Sequence, residues 1–153
     1  MAWTDPTAPN LADFTLFVRG SMGIPVQVLP EGSPWIGYAF KQALAMCLCV
    51  PACQGVGYTL AVYNLGGHTL IRIAQDVGNG STFFTEQRQR YGLLLLSAGV
   101  VQASSDETTS DTLAVPDAIA NLTIGDLQYM KTPWGREYLS YAQDFGPDVV
   151  GLT

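Results

Sequence analysis

Charged side chains are scarce in this sequence. Asp, Glu, Lys and Arg make up 13% of its 153 residues, about half the share usual in a globular protein. So few ions cannot comfortably cover an isolated surface, so part of that surface is expected to lie against other chains. Cations are scarcer still: seven Lys and Arg face thirteen Asp and Glu. From Tyr91 to Met130 there are acids (Asp106, Glu107, Asp111, Asp117, Asp126) and no Lys or Arg. A tight grip on nucleic-acid phosphates needs clustered cations. The densest basic pair, Arg88 and Arg90, reads as the solvated face of a short helix. Tightly bound DNA is therefore not expected.

Histidine is nearly absent, with His68 the only one. Catalysis by a Ser-His or Cys-His pair needs a base within hydrogen-bond reach of a nucleophile. His68 follows Gly66-Gly67, where a loop is expected, and no serine sits in a G-x-S-x-G elbow. Phosphate loops are absent as well: Gly55-x-Gly57 and Gly78-x-Gly80 lack the third glycine and the Lys-Ser/Thr pair. Cys47, Cys49 and Cys53 could join His68 around zinc. Their C-x-C-x3-C spacing is not the usual knuckle, and on a helix Cys47 and Cys49 point roughly 200° apart. They read as buried reduced thiols. Asp106, Glu107 and Asp111 sit close together, but a solvated loop offers neither the desolvation nor the fixed geometry of acid–base pairs. The sequence thus predicts no catalytic residue, no cofactor and no metal site.

Between Lys41 and Arg72 no residue is charged, a length sufficient for a membrane span. Pro51, Gly55, Gly57, Asn64, Gly66 and Gly67 punctuate it, so two buried helices joined near Val50-Pro51 are expected instead. MAWTDPTAPN (1–10) has neither the basic nor the apolar region of a signal peptide, and the sequons at Asn79 and Asn121 are expected to stay bare.

The pattern along the chain predicts a mainly α fold, one domain over 1–153. A compact bundle of about five or six helices should carry one long extended loop or β-hairpin, about 100–116, before the C-terminal helices. Residues 1–9 read as an arm and 146–153 as a tail. Asn10 caps a first helix with Leu11, Phe14, Phe17 and Val18 inward. Ser33-Pro34 starts a second, buried through Ile36, Phe40, Ala43, Leu44 and Cys47. A third begins near Gly57 and ends at Gly66-Gly67. His68 to Asp76 fits a short helix or an extended segment. Ser81 or Thr82 caps a fourth, and Leu93 to Leu96 reads as a buried run. Thr123 with Asp126 forms a capping box, and Thr132-Pro133 starts a last helix striped by Trp134, Tyr138, Tyr141 and Phe145. In VVQASSDETTSDTLAVP (100–116), apolar arms enclose a small, hydroxylated, acidic middle between Gly99 and Pro116. A structureless loop of that length in a compact domain is expected to be either functional or disordered.

The segments SPWIGYAFKQAL (33–44), YTLAVYNLGG (58–67), STFF (81–84) and 101–139 together resemble small structural proteins of tailed bacteriophages. The resemblance is to the head-to-tail connector (adaptor or neck) type. In that class a helical bundle carries one extended hairpin before a final helix with a T-x-x-G-x-x-Y/F-L pattern. Thr132, Gly135, Tyr138 and Leu139 match it here. The resemblance implies a virion protein, made in the host cytoplasm, with no catalysis and no membrane. Its partners would be copies of itself in a dodecameric ring, a portal protein, and a downstream tail or nozzle protein. DNA would pass through the channel without being bound. Residues Ser104, Ser105, Asp106, Glu107, Thr108, Thr109, Ser110 and Asp111 would contact a neighbouring subunit or the channel. The tail Asp148, Val149, Val150, Gly151, Leu152 and Thr153 would dock on the portal. The alternatives are another virion part, such as a fibre-tail adaptor or a capsid accessory protein, and a small enzyme or metal protein built on His68 and Cys47, Cys49 and Cys53.

Overall fold

The structure, a computed structural model, describes residues 2–47, 55–78, 80–95, 103–106, 109–112 and 123–145. Six helices occur among them, in a mainly α fold: α1 (Leu11–Gly20), α2 (Pro34–Met46), α3 (Val56–Ile73), α4 (Phe83–Arg90), α5 (Ile124–Tyr129) and α6 (Pro133–Phe145). Two strands, β1 (Ala103–Asp106) and β2 (Thr109–Thr112), stand between α4 and α5.

The axis of the bundle is α3. It packs mainly against α2 on one side and α6 on another, with α1 and α4 as lesser neighbours. Burial is continuous from Ala61 to Ile71, the mark of a helix enclosed on all sides. Gly66-Gly67 therefore does not end the helix, contrary to the sequence expectation. A Cβ on Gly66 would lie 2.8 Å from the Phe14 ring, and one on Gly67 would lie 3.0 Å from Met22 Sδ. The glycines let α1 and the turn after it press close onto α3. Hydrogen bonding along α3 repairs the low helix propensity of the pair, because tertiary packing overrides it.

The aromatic centre of the core lies beside this contact. Phe14 meets Phe40 of α2 at 5.6 Å and Tyr63 of α3 at 5.7 Å between ring centroids. Ile24 and Leu29, in the loop between α1 and α2, are buried as well. Arg19 fixes that loop by donating to the carbonyls of Ile24 and Leu29.

The caps follow the sequence in part. Asn10 Oδ1 accepts from the Asp13 amide at 2.8 Å, and Thr123 with Asp126 forms the reciprocal capping box. Pro34 takes the first turn of α2, but Ser33 makes no side-chain cap. Thr82 precedes α4 without capping it; Asp76 does so from eight residues upstream, accepting from Phe84 N at 2.7 Å and Thr85 N at 3.1 Å. Arg88 returns the service at the other end of the contact, donating to the Ala74 carbonyl at 2.6 Å and the Ile71 carbonyl at 3.3 Å. Arg88 is thus half-buried and committed, not part of a solvated face.

The N-terminal arm is also not free. Trp3 is half-buried, edge-on to Tyr63 at 5.0 Å. The Asp13 carboxylate accepts from Thr4 N at 2.8 Å, Asp5 N at 2.9 Å and Asn10 Nδ2 at 2.9 Å. Burial alone would raise this carboxyl; the two backbone amides and Asn10 outweigh it and hold it at about 2.

Four side chains expected inside are exposed: Leu11 at the rim of α1, Leu44 on the outer flank of α2, and, in the Leu93–Leu96 run, Leu94 (64%) and Leu95 (70%). The Leu run continues past α4 as a turn over the surface, so no helical face carries it inward. Leu96 lies outside the described residues, as do Cys49 and Cys53; Cys47 is buried at the end of α2.

Candidate functional site

Two places hold the features singled out in the sequence: the surroundings of His68, and the hairpin with the surface at its two ends.

His68 sits mid-helix in α3 and is fully buried. Its Nδ1 lies 2.7 Å from Thr132 Oγ1, in the corner between α5 and α6. The Tyr129 ring stands edge-on to the imidazole at 5.1 Å, and Tyr138 stands edge-on to Tyr129 at 5.3 Å. Thr132 Oγ1 accepts from the Gly135 amide at 3.0 Å, which caps α6. Which of the two groups donates follows the imidazole tautomer, since the hydroxyl oxygen keeps a second lone pair. Among the described residues Nε2 has no hydrogen-bond partner. Burial pushes the imidazole down to about 4, and the Arg72 guanidinium adds to the shift, so His68 is neutral at neutral pH.

A hydroxyl 2.7 Å from an imidazole has the spacing of a nucleophile and its base. Both groups are fully buried, however, and the Thr132 oxygen already accepts from an amide. The pair is arranged to hold α6 on α3. It does not present an oxygen to a substrate. Cys47 is the one cysteine of the proposed zinc set within the described residues, and no group of three or more metal-ligating side chains assembles among those residues. The sequence had flagged His68 but not its partners. Thr132 was legible as a cap, whereas nothing in the spacing of Tyr129 or Thr132 announces a contact reaching 64 residues back.

The hairpin is antiparallel, pairing Ala103 with Thr112, Ser104 with Asp111, Ser105 with Ser110 and Asp106 with Thr109. Its strands run through the polar stretch. The apolar arms Val100-Val101 and Leu113–Val115, together with Glu107 and Thr108, lie outside the described residues. Among the described residues these strands pair only with each other.

On either side of the hairpin in the chain the surface is apolar. Leu94 and Leu95 precede it, and Ile124, 71% exposed, follows it with Met130. Lys131 ties the two sides together, donating to Gly92 O at 2.8 Å and to the Leu95 carbonyl. The tail Asp148–Thr153 lies outside the described residues. No protein-family model, curated protein or solved structure matches this chain. Among the described residues no helix is long and apolar enough to cross a membrane.

Proposed function

We propose that this chain is a non-catalytic structural protein of a bacteriophage virion: an adaptor whose copies form a ring, joining portal to tail and extending the DNA channel. The observation that carries the reading is the coincidence of bare apolar surface with the hairpin. Leu94, Leu95 and Ile124 are the most exposed large aliphatic side chains among the described residues, and they bracket the segment that the connector reading assigns to subunit contact. Large aliphatic side chains this exposed favour a protein partner. A lone two-stranded ribbon is marginal in water, so this one gains stability when another surface covers it. The order bundle, hairpin, capped final helix, with Thr132 and Gly135 at a tight corner, agrees with the connector pattern. In the channel, the low cation content and acidic hairpin would let DNA slide past without sticking. Portal and downstream tail or nozzle protein are the neighbours this reading requires, with the virion as its site of residence.

Electron microscopy of virions and of the purified protein with portals tests the reading. Rings on the portal are expected, and Leu95→Glu with Ile124→Glu should abolish them while leaving the helical circular-dichroism signal intact. A protein that stays monomeric and ignores portals would overturn it. Density at a fibre base or on the capsid would place the same structural role elsewhere in the virion.

A further inference from the structure

The one histidine of the chain is buried, and no step of the proposed function uses it. We infer that α5 and α6 form a clasp released by protons: the His68–Thr132 hydrogen bond holds the pair on α3 while the imidazole is neutral, and protonation of His68 frees the pair as one unit.

Four features support this. First, α5 and α6 are one body. Gly135 abuts the Tyr129 carbonyl so closely that a Cβ there would lie 2.0 Å from its oxygen. Tyr129 also packs on Tyr138, and Arg136 donates to Met130 O at 3.1 Å. Second, the pair is held mostly by half-buried contacts: Tyr138 is its one side chain in the buried hydrophobic core, while Tyr129, Trp134, Tyr141 and Ala142 pack against that core half-buried. Partly exposed contacts open before fully enclosed ones. Third, the same Thr132 hydroxyl oxygen accepts from the Gly135 amide and bonds His68, so cap and latch share one atom. A second imidazole proton either reverses the His68–Thr132 bond or adds a buried Nε2–H without a partner, at a cost. Fourth, the new cation would be buried without a counter-charge. The charged and titratable groups on that side are Arg72 one turn along α3, of like sign, and Tyr129 from α5, with Asp126 and Tyr138 beyond Tyr129. Neither imidazole nitrogen bonds a carboxylate.

The remaining ties do not change with this proton. Lys131 bonds the carbonyls of Gly92 and Leu95, Tyr138 Oη lies 3.5 Å from Met46 O, and Trp134 stands edge-on to Tyr91 at 6.0 Å.

The sign follows from the shift. The imidazole binds its proton near 4 when docked and near 6.5 when released, so acid favours the released form. The docking contributed by neutral His68 is complete above about 6.5 and is lost as pH falls toward 4. Between pH 7 and pH 5 the opening equilibrium of the pair rises on the order of 20-fold.

Hydrogen exchange, corrected for the intrinsic pH dependence, tests this on the full chain. Amides of 124–145 should exchange about 20-fold faster at pH 5 than at pH 7 while those of α1 and α2 keep their protection. The carbon-bound imidazole proton, unambiguous with one histidine, should report a neutral ring at pH 6. His68→Asn keeps a polar atom near Nδ1 that cannot titrate, and should abolish the acid response. Titration near 6.5, simultaneous loss of protection in all helices, or an acid response surviving in H68N would each overturn the inference. The exchange and titration measurements on the unaltered protein decide the matter even if H68N fails to fold.

Discussion

At the scale of single residues, glycine does opposite things in three helices. A Cβ at Gly135 meets a backbone carbonyl at 2.0 Å, and backbone cannot step aside. Gly135→Ala should destabilise the protein by about 3 kcal/mol or more, at or beyond the usual cost of overpacking. At Gly66 the obstacle is the Phe14 ring at 2.8 Å, a side chain locked among Phe17, Phe40 and Tyr63. Gly66→Ala should cost about 1–3 kcal/mol. Gly37, inside α2, has nothing within 4 Å of its would-be Cβ. There Ala should stabilise by about 0.5–1 kcal/mol, through a less disordered unfolded chain. Urea unfolding of the three variants checks both sign and order.

At the scale of elements, α4 depends on a residue outside itself. Burial, the largest single influence, raises the Asp76 carboxyl, but hydrogen bonds from Thr85 and Phe84 and the charge of Arg88 prevail and lower it. Asp76→Ala removes the only side-chain cap of α4's first turn and should cost about 1–2 kcal/mol. The loss should appear first as faster exchange of the Phe84 and Thr85 amides. This contact also shows where sequence reading stops. Local signals were legible: Asn10 to Asp13, Thr123 to Asp126 and Thr132 before Pro133 are caps written within three or four residues, and each forms as read. Asp76 and Arg88 act across a turn between helices, and no local pattern encodes that geometry. The break expected at Gly66-Gly67 and the loop expected at His68 share one cause. Helix propensity is local, whereas the reason for two small residues was the aromatic core of α1, distant in sequence. The aliphatic run at Leu93–Leu96 misled for the converse reason, since hydrophobicity alone does not say whether the burying surface belongs to the same chain.

At the scale of the whole molecule, the proposed ring rests on apolar contacts more than on ion pairs, because so few ions exist to form them. Assembly should therefore be insensitive to moderate sodium chloride and promoted by sulfate, as judged by sedimentation. Deleting Ser104 to Ser110 removes the hairpin while leaving all six helices. Helical content and the unfolding transition of the monomer should persist, and ring or neck assembly should fail. Loss of monomer folding in this deletion would make the hairpin part of the core.

The central place of α3 has a consequence for the nascent chain. Its faces are closed by α1 and α2, already synthesised, and by α6, which the ribosome delivers last among the described elements. Between Ile73 and Pro133 translation takes on the order of several seconds, during which the side of α3 that will receive Tyr138 stays uncovered. The bundle cannot close in a single collapse behind the ribosome. It folds around an axis with one wall missing, and that wall is the α5–α6 pair.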